Sequence, residues 1–576
     1  AAPPAVPGGP ARLLPALGSA FKSRWVNAAL DAKLSSQLDD PVAVAAGALP
    51  RWCAALARAA PWLFAERSRL QLLRASALGV SRSLAWVQDR VVAQRRTAFA
   101  EELLAAERMR ADAEAARDPE GLSEAMDQLG EIEERVARDR LGSLASDIAR
   151  VRRDDVLSTA RKLMAAHASS RRALEIQFEG ESGFGSGVTQ NFYSCVAHQL
   201  QGGDVDGDGD GAGAGAGKGR PDGMWLGDEA GDGAGAALAG AGATGGLYPR
   251  PLAPSAPAAS VAAARADFHF LGQLMAKACL DGFCVPLPLS ASFLALVRGD
   301  PLGAWSLPPP GATGGVVSAY AQLCRDAAAA AAAGDPGSAG AWSEAMAPPR
   351  ADAEFASRYM RLGYAMSIGD FLEALGESSC FACPVTGAPL CPGGESRALT
   401  PDTLPEYVTL VMRFWHGEGV RAQTEAFRAG AASVLPLRAL LVLDPVELRA
   451  LLCGRLQIEW EESELQRHIN PTGGLTRDAA PYRLLIEELL AMPHVERAQF
   501  LNFVTACPHL PPSGLEMLEI EVAPQRAGLT IPTSQTCGNK LYMPAYRTAE
   551  ELRSGLQVAF ANAEYGGLHE HTHVGH

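Results

Sequence analysis

A cysteine near the C-terminal end of the sequence lies in a short polar loop. Cys537 is part of IPTSQTCGNKLYMPAY, residues 531–546, and the loop separates two apolar runs. Its neighbours are hydroxyl, amide and glycine residues, which would leave the sulfur accessible and would supply hydrogen-bond donors. Most cysteines are buried and structural. The polar setting nevertheless makes Cys537 a candidate nucleophile.

The sequence does not assign a base to this thiol. A free thiol is only slightly ionised at neutral pH, so a cysteine hydrolase would place a histidine beside the sulfur. The eleven histidines show no spacing that selects one of them. A cysteine hydrolase therefore stays open as one alternative.

Two other clusters could hold a metal ion, and neither is expected to. Cys380, Cys383 and Cys391 provide three thiols, but no fourth cysteine or histidine follows at the spacing of a zinc ribbon. The histidine-rich tail, residues 569–576, implies no fixed coordination geometry and is expected to be solvated. We therefore expect no metal ion and no cofactor.

A glycine-containing loop at 183–187 lacks the sequence pattern of a nucleotide-binding loop. Gly183, Gly185 and Gly187 have the composition of a phosphate loop, but no Lys-Ser/Thr pair follows and the spacing is not GxGxxG.

Composition places the chain among multidomain globular proteins. The 576 residues are 48% apolar and 20% charged, which suggests two to four domains. The net charge of −14 argues against a nucleic-acid partner. Eleven scattered cysteines indicate reduced thiols and a cytoplasmic or nuclear location, while the absence of a long apolar run predicts no membrane segment.

Changes in composition along the chain suggest the elements that must position Cys537. A helical region and a compact C-terminal α+β unit are expected, and two Gly-, Ala- and Pro-rich tracts look like loop insertions. The expected segments are a variable N-terminus (1–40), a helical region (41–170), a middle segment (171–465, with insertions 201–245 and 300–350), a hinge (466–474), a compact α+β unit (475–568) and a tail (569–576).

The unit at 475–568 has the clearest pattern of helices and strands. Strands are expected on both sides of Cys537 and at 517–522, with helices at about 478–491 and 495–506. The last helix is expected to begin at Thr548, where Thr548 and Glu551 form a capping-box pattern.

Several motifs, in order, resemble HECT ubiquitin ligases. FLNFVTACPHLPPSGLEML (500–518) and the Cys537 loop resemble the C-terminal lobe of that family, and LEIQFEGESGFGSGVTQNFYSCVAHQL (174–200) resembles the start of its N-terminal lobe. GALPRWCAALARAAPWLFAERSRLQLLRASALGVSRSLAWVQ (47–88) resembles the region before the HECT domain in the ubiquitin-fusion-degradation subgroup, which has plant members. The resemblance implies an α+β fold: a bilobed HECT domain with a large, mainly helical N-lobe (171–465) and a small α/β C-lobe (475–568).

The resemblance also implies a function for the thiol. Cys537 would accept ubiquitin from a conjugating enzyme as a glycyl thioester and would pass it to a lysine of a protein substrate, promoting degradation. Ubiquitin, a conjugating enzyme and protein substrates are the implied partners. Thr536 and Asn539 match the family loop and would position the carbonyl, unless they only shape the turn.

Three further sets of residues complete the expectation. The resemblance implies that Gly183, Gly185 and Gly187 form a structural turn. The conjugating enzyme is expected in an apolar groove, whose candidates alternatively form ordinary core at helical spacing: Phe381, Tyr407, Val411, Phe414 and Trp415. Pro471, Gly473 and Gly474 are the expected hinge residues. The alternative to an active ligase is an inactive scaffold that binds the conjugating enzyme.

Overall fold

A computed structural model gives the architecture of most of the chain. The structure describes residues 25–40, 43–44, 46–79, 81–83, 88, 95, 98–116, 118–137, 145–181, 183, 185–201, 223–226, 246–300, 380–383, 385–399, 403–526 and 528–565. Most of the expected variable N-terminus, most of both expected insertions and the histidine-rich tail lie outside these residues. Residues 223–226 of the first expected insertion are described, and Trp225 there is buried and pairs with Pro249.

Helices dominate the described residues. They are α1 (Ala28–Leu38), α2 (Arg51–Ala59), α3 (Glu66–Ala77), α4 (Ala100–Ala116), α5 (Pro119–Ala137), α6 (Val156–His167), α7 (Ser186–Gln201), α8 (Ala258–Asp281), α9 (Ala291–Arg298), α10 (Leu404–Trp415), α11 (Arg421–Ala432), α12 (Pro445–Cys453), α13 (Glu462–His468), α14 (Ala480–Ala491), α15 (His494–Thr505) and α16 (Ala549–Tyr565). None of these helices is long and apolar enough to cross a bilayer.

The described strands form two small sheets. They are β1 (Ser146–Val151), β2 (Ala173–Phe178), β3 (Ile469–Pro471), β4 (Ile520–Pro524), β5 (Thr533–Gln535) and β6 (Lys540–Met543). Strands β1 and β2 pair in parallel, while the second sheet has the order β3-β4-β6-β5. In that sheet β3, β4 and β6 are parallel, and β5 runs antiparallel to β6.

Contacts divide the described chain into two compact units. Unit 1 comprises the described residues within Ala1–Gly219, Met275–Leu287 and Val434–His576, and unit 2 those within Arg220–Leu274 and Pro288–Ser433.

Unit 2 is built on tightly packed helices and an aromatic core. Helices α8 and α11 approach so closely that a Cβ atom on Gly272 would lie 2.2 Å from the Phe427 carbonyl oxygen. Around them, Phe293 makes edge-to-face contacts with the rings of Phe268 and Phe427 at 5.8 and 5.3 Å between centroids.

Unit 1 contains the C-terminal subdomain, here defined as residues 458–565. Its core joins the second sheet to α14, α15 and α16, and it begins at Ile458 and Trp460. In α16, Leu552, Leu556 and Phe560 are buried at fourfold spacing. Thr548 caps this helix by accepting from the Glu551 N–H at 3.2 Å, but the Glu551 carboxylate accepts from the backbone of Arg547, not from Thr548.

The structure differs from the sequence expectation in the segment before α6. Residues 146–151 form β1, where no strand was expected, and the register pairs Ala149 with Ile176. Only Ala149 and Val151 of this strand are buried, and Ile148 is exposed. The apolar alternation of the strand is therefore too weak to indicate it without its partner.

Candidate active site

Cys537 lies in a tight turn at the edge of the second sheet. Strand β5 ends at Gln535, a single 3₁₀ turn covers Thr536–Gly538, and β6 begins at Lys540. Leu541 and Met543 of β6 are buried in the C-terminal core, and this anchoring fixes the register of the hairpin. The hairpin therefore turns outward at Cys537, whose side chain is exposed.

The turn closes through Asn539, which has a left-handed backbone with φ 48° and ψ 44°. Its side-chain N–H donates to the Leu518 carbonyl at 2.5 Å, and its own carbonyl accepts from Glu521 N–H at 3.0 Å. Asparagine tolerates this conformation better than most residues. Asn539 thus ties the turn to β4 through its backbone and to Leu518, two residues before β4, through its side chain.

The start of helix α7 contacts the other side of the turn. A Cβ atom on Gly187 would lie 2.5 Å from Thr536 Oγ1 and 2.7 Å from Cys537 N, so any side chain there would collide with the turn. A Cβ atom on Gly185 would lie 3.6 Å from Cys537 Sγ. The Ser186 hydroxyl donates to the Cys537 carbonyl at 3.3 Å.

Other cysteines lie in different surroundings. Burial raises the pKa of Cys279 and of Cys507 to about 12, so these thiols stay protonated. Burial also raises the pKa of Cys53 and of Cys195. Among the cysteines that the structure describes, Cys537 is the exposed one, and it is the one with the accessibility that a nucleophile needs.

Comparison with known families places this site in a known domain. Residues 337–568 match the family model described as HECT-domain (ubiquitin-transferase), a range that includes the Cys537 hairpin. The chain contains a HECT domain, matched over residues 337–568. The α+β fold class is thereby confirmed at the level of the domain.

Curated relatives of this HECT protein extend the likeness over most of the chain. E3 ubiquitin-protein ligase hecd-1 of Caenorhabditis elegans is 30% identical over 566 residues, covering 93% of this chain and 20% of the relative. E3 ubiquitin-protein ligase UPL3 of Arabidopsis thaliana is 28% identical over 587 residues, covering 93% and 26%. Ubiquitin fusion degradation protein 4 of Saccharomyces cerevisiae is 26% identical over 544 residues, covering 92% and 31%.

These relatives confirm the expected subgroup of the HECT family. Their names include the ubiquitin-fusion-degradation protein and a plant member, as the sequence motifs indicated. The chain spans only about a fifth to a third of the length of these relatives.

The candidate groove residues of the HECT domain are buried in unit 2. Phe381, Val411 and Trp415 are fully buried, and Tyr407 and Phe414 nearly so. The rings of Phe381 and Tyr407 meet edge to face at 5.7 Å, and the Arg397 guanidinium lies 3.9 Å from the centre of the Phe381 ring. This burial favours the core alternative, and a groove for the conjugating enzyme stays a prediction.

The expected hinge of the HECT domain is tied into the C-terminal subdomain. Pro471 belongs to β3, which pairs with β4 at Val522, and Thr472 N–H donates to Val522 O at 2.8 Å. Gly473 and Gly474 have the positive φ expected of turn glycines, but they follow β3 and so lie inside that subdomain. The proline and the paired glycines mark a turn here, and the parallel pairing could not be read from local sequence.

Two of the described histidines have partners away from the turn. His509 Nδ1–H donates to Cys453 O at 2.6 Å, and His468 contacts Glu519 at 3.1 Å. No group of histidine, cysteine or acidic residues suited to a metal ion occurs within the part of the chain that the structure describes, which includes Cys380, Cys383 and Cys391.

Sequence reasoning missed the contact of α7 with the Cys537 turn. Ser186 and Cys537 are 351 positions apart, and no local signal connects them. The glycines were singled out as a structural turn, and the structure adds what that turn contacts.

Proposed function

We propose that this chain acts as a HECT-type E3 ubiquitin transferase with Cys537 as the acceptor thiol. The observation that carries the proposal is the exposed thiol on an outward turn at the edge of the C-terminal sheet. The match to the HECT domain and the ligase names of the relatives support it. Ubiquitin, a conjugating enzyme and protein substrates are the corresponding partners.

The reaction has two acyl transfers. The Cys537 thiolate attacks the carbonyl carbon of the thioester on the conjugating enzyme; a new C–S bond forms, the old one breaks, and that enzyme leaves as a thiolate. A lysine amine then attacks the carbonyl on Cys537, so that C–N forms and C–S breaks. The ammonium releases a proton to solvent, and the Cys537 thiolate is regenerated.

The free-energy changes of the two acyl transfers favour a reaction in two steps. Exchange between two similar thioesters is close to thermoneutral, whereas amide formation is downhill and makes the second step effectively irreversible. Splitting one transfer into two is the usual advantage of covalent catalysis. Bringing the reactants together in the correct orientation lowers the barrier further, because two bound proteins deliver them.

The lobes are part of the proposal. A large lobe would receive the conjugating enzyme, and the C-terminal subdomain would carry ubiquitin on Cys537. The helical region before the HECT domain, expected over 41–170, would support the large lobe. Thr536 and Asn539 would position the thioester carbonyl. In the structure the Asn539 side chain donates to Leu518 O, so Asn539 would have to share or exchange this bond to contact the carbonyl.

The cellular setting is likewise proposed. Reduced cysteines are consistent with a cytoplasmic or nuclear location. One relative is named as a ubiquitin fusion degradation protein, which suggests that substrates of this chain are sent for degradation.

A single-turnover assay tests the function. The chain is mixed with a conjugating enzyme that carries labelled ubiquitin, and adducts are separated with and without a reducing thiol. We expect a thiol-sensitive adduct on the wild-type chain and on Cys391→Ala, the control, and none on Cys537→Ala. Cys537→Ser should give an oxygen ester that resists the thiol.

The same assay separates the alternatives. An adduct that persists on Cys537→Ala would contradict the proposal. An inactive scaffold would bind the charged conjugating enzyme without forming an adduct, and a hydrolase would release free ubiquitin at the same rate with or without an added amine.

A further inference from the structure

Helix α7 contacts the C-terminal subdomain at two points on one face. The first is the contact of Gly185, Ser186 and Gly187 with the Cys537 turn. The second is Ser194, whose hydroxyl donates to the Ala506 carbonyl at 2.7 Å, just beyond the end of α15. Gly187 and Ser194 are seven residues apart, which is about two helical turns, so both point to the same side of α7.

The Gly-containing end of this face is built for close approach. Gly185 has φ 100°, a left-handed conformation that a side chain disfavours. Thr189 fixes this turn, because its N–H and its hydroxyl both donate to Gly185 O, at 3.2 and 3.1 Å. The hydroxyl of Thr189 in turn accepts from Ile176 N–H of β2 at 3.1 Å. The turn at Gly185 is therefore anchored to β2 through Thr189.

We propose that Gly185, Ser186, Gly187 and Ser194 form a docking surface that holds the Cys537 turn for transfer of ubiquitin to the lysine amine. This inference rests on the proposed function. Gly185, directly before α7, lies beside the sulfur, since a Cβ atom there would be 3.6 Å from Sγ. A lysine side chain is narrow enough to reach the carbonyl past this residue. A folded conjugating enzyme must bring its own cysteine to the same sulfur and needs a wider approach.

The docking surface would act on the second acyl transfer as a positioning device. The amine nitrogen attacks the carbonyl carbon, the C–N bond forms, the C–S bond breaks, and the electron pair returns to Cys537 Sγ while solvent takes the ammonium proton. Ser186 and Gly187 hold the backbone of Cys537, so the thioester carbonyl on the Cys537 sulfur is presented in one orientation. Loss of that orientation slows the step, because misplacement of reacting atoms by about 1 Å can cost about a hundredfold in rate.

Disulfide trapping tests the docked arrangement without any reaction of ubiquitin. A Cβ atom at position 185 would lie 3.9 Å from the Cys537 Cβ, within the range of about 3.5–4.5 Å that disulfides require. Gly185→Cys, treated with oxidised glutathione, should therefore form an intrachain disulfide to Cys537, seen as a cross-linked peptide by mass spectrometry. Gly183→Cys is the matched control, because a Cβ at 183 would meet only Val188.

Single-turnover kinetics test the role in transfer. Loading of Cys537 from a charged conjugating enzyme and discharge of the isolated adduct to free lysine are timed separately. Gly187→Val should slow discharge about tenfold or more while slowing loading by less than about threefold. Ser186→Ala loses one hydrogen bond and should slow discharge about two- to fivefold. Gly183→Ala should leave both steps unchanged.

The outcomes distinguish this inference from the proposed function. If Cys537 is not the acceptor, no adduct forms on any variant, and the function fails. If adducts form but Gly187→Val discharges at the wild-type rate, or loses loading and discharge equally, the docking surface has no role in transfer. A folded Gly185→Cys chain that cross-links no better than Gly183→Cys would overturn the docked arrangement itself.

Discussion

At the scale of single residues, Asn539 gives the Cys537 turn its shape. A left-handed backbone costs about 1–2 kcal/mol for a residue with a plain Cβ, and the bond to Leu518 O adds about 1 kcal/mol. Asn539→Ala should therefore lower the free energy of unfolding of the C-terminal subdomain by about 2 kcal/mol. The shift in its urea or thermal midpoint measures this.

Asn539→Gly is the control for that prediction. Glycine adopts the left-handed conformation without the steric cost, so this variant should lose only the hydrogen bond and melt between the wild-type chain and Asn539→Ala. If alanine and glycine destabilise equally, the backbone conformation at 539 contributes nothing.

His509 makes the stability of unit 1 depend on pH. Burial lowers its pKa from about 6.5 to about 4, so between these values the unfolded chain binds more protons than the folded one. Its contribution to stability is complete above about pH 6.5 and is lost as the pH falls toward 4, by up to about 1.4 kcal/mol for each pH unit. Thermal midpoints measured from pH 7 to pH 4 should follow this slope.

His509→Asn separates the titration from the packing. The asparagine amide replaces the Nδ1–H that donates to Cys453 O but does not titrate, so the midpoint should fall less steeply between pH 6.5 and 4. His198→Gln, at an exposed position, should keep the wild-type slope. An unchanged slope in His509→Asn would mean that other groups carry the acid sensitivity.

At the scale of elements, two helical glycines should respond in opposite ways to the same change. Alanine is normally favoured over glycine inside a helix by about 1 kcal/mol. Gly130 in α5 has open space around it, whereas a Cβ on Gly555 in α16 would lie 2.1 Å from the Tyr546 hydroxyl oxygen. Gly130→Ala should raise the thermal midpoint and Gly555→Ala should lower it.

Removing the Tyr546 side chain tests whether its collision with residue 555 causes the predicted destabilisation. It donates to Thr530 O at 2.8 Å and packs against the C-terminal core, so moving it aside has a cost. In a Tyr546→Ala background the collision disappears, and Gly555→Ala should become stabilising there. If it still destabilises, the cause lies elsewhere in α16.

Elements with strong local patterns could be predicted from sequence, and those defined by distant partners could not. The periodicity of Leu552, Leu556 and Phe560 gave α16, and the apolar runs on both sides of Cys537 gave the hairpin. Strand β1 was missed because it exists through its pairing with β2. The contact of Ser186 with Cys537 lacks a local signal for the same reason.

At the scale of the whole molecule, the junction before Ile458 is the better candidate for a hinge. Swinging the C-terminal subdomain about residues 466–474 would break the pairing of β3 with β4 and open the core around Ile469. Bending at 454–457 would leave that sheet and core intact. It would break separate hydrogen bonds, among them those from Arg455 N–H to Leu510 O and from His509 to Cys453 O, together with the two bonds from serines of α7. Each neutral hydrogen bond contributes about 1 kcal/mol, which thermal motion can supply.

A buried ion pair joins the helical region before the HECT domain to the rest of unit 1. Arg69 of α3 holds both carboxylate oxygens of Glu447 in α12 and also donates to Val442 O at 3.0 Å. The two side chains are only 7% and 8% exposed. Glu447 also closes the capping box of α12 with Asp444, so one carboxylate serves both the helix start and the attachment of α3.

Breaking this pair from one side should be far more costly than removing both charges. Arg69→Met leaves a buried carboxylate without its partner, which costs about 3–5 kcal/mol in comparable cases, and should expose residues 434–453 to faster hydrogen exchange. Arg69→Met/Glu447→Gln should recover much of that loss. Arg67→Met, which breaks the exposed pair with Glu516, should change little. Equal effects of Arg69→Met and Arg67→Met would show that the buried pair contributes no more to the attachment of α3 to α12 than the exposed pair with Glu516 contributes to stability.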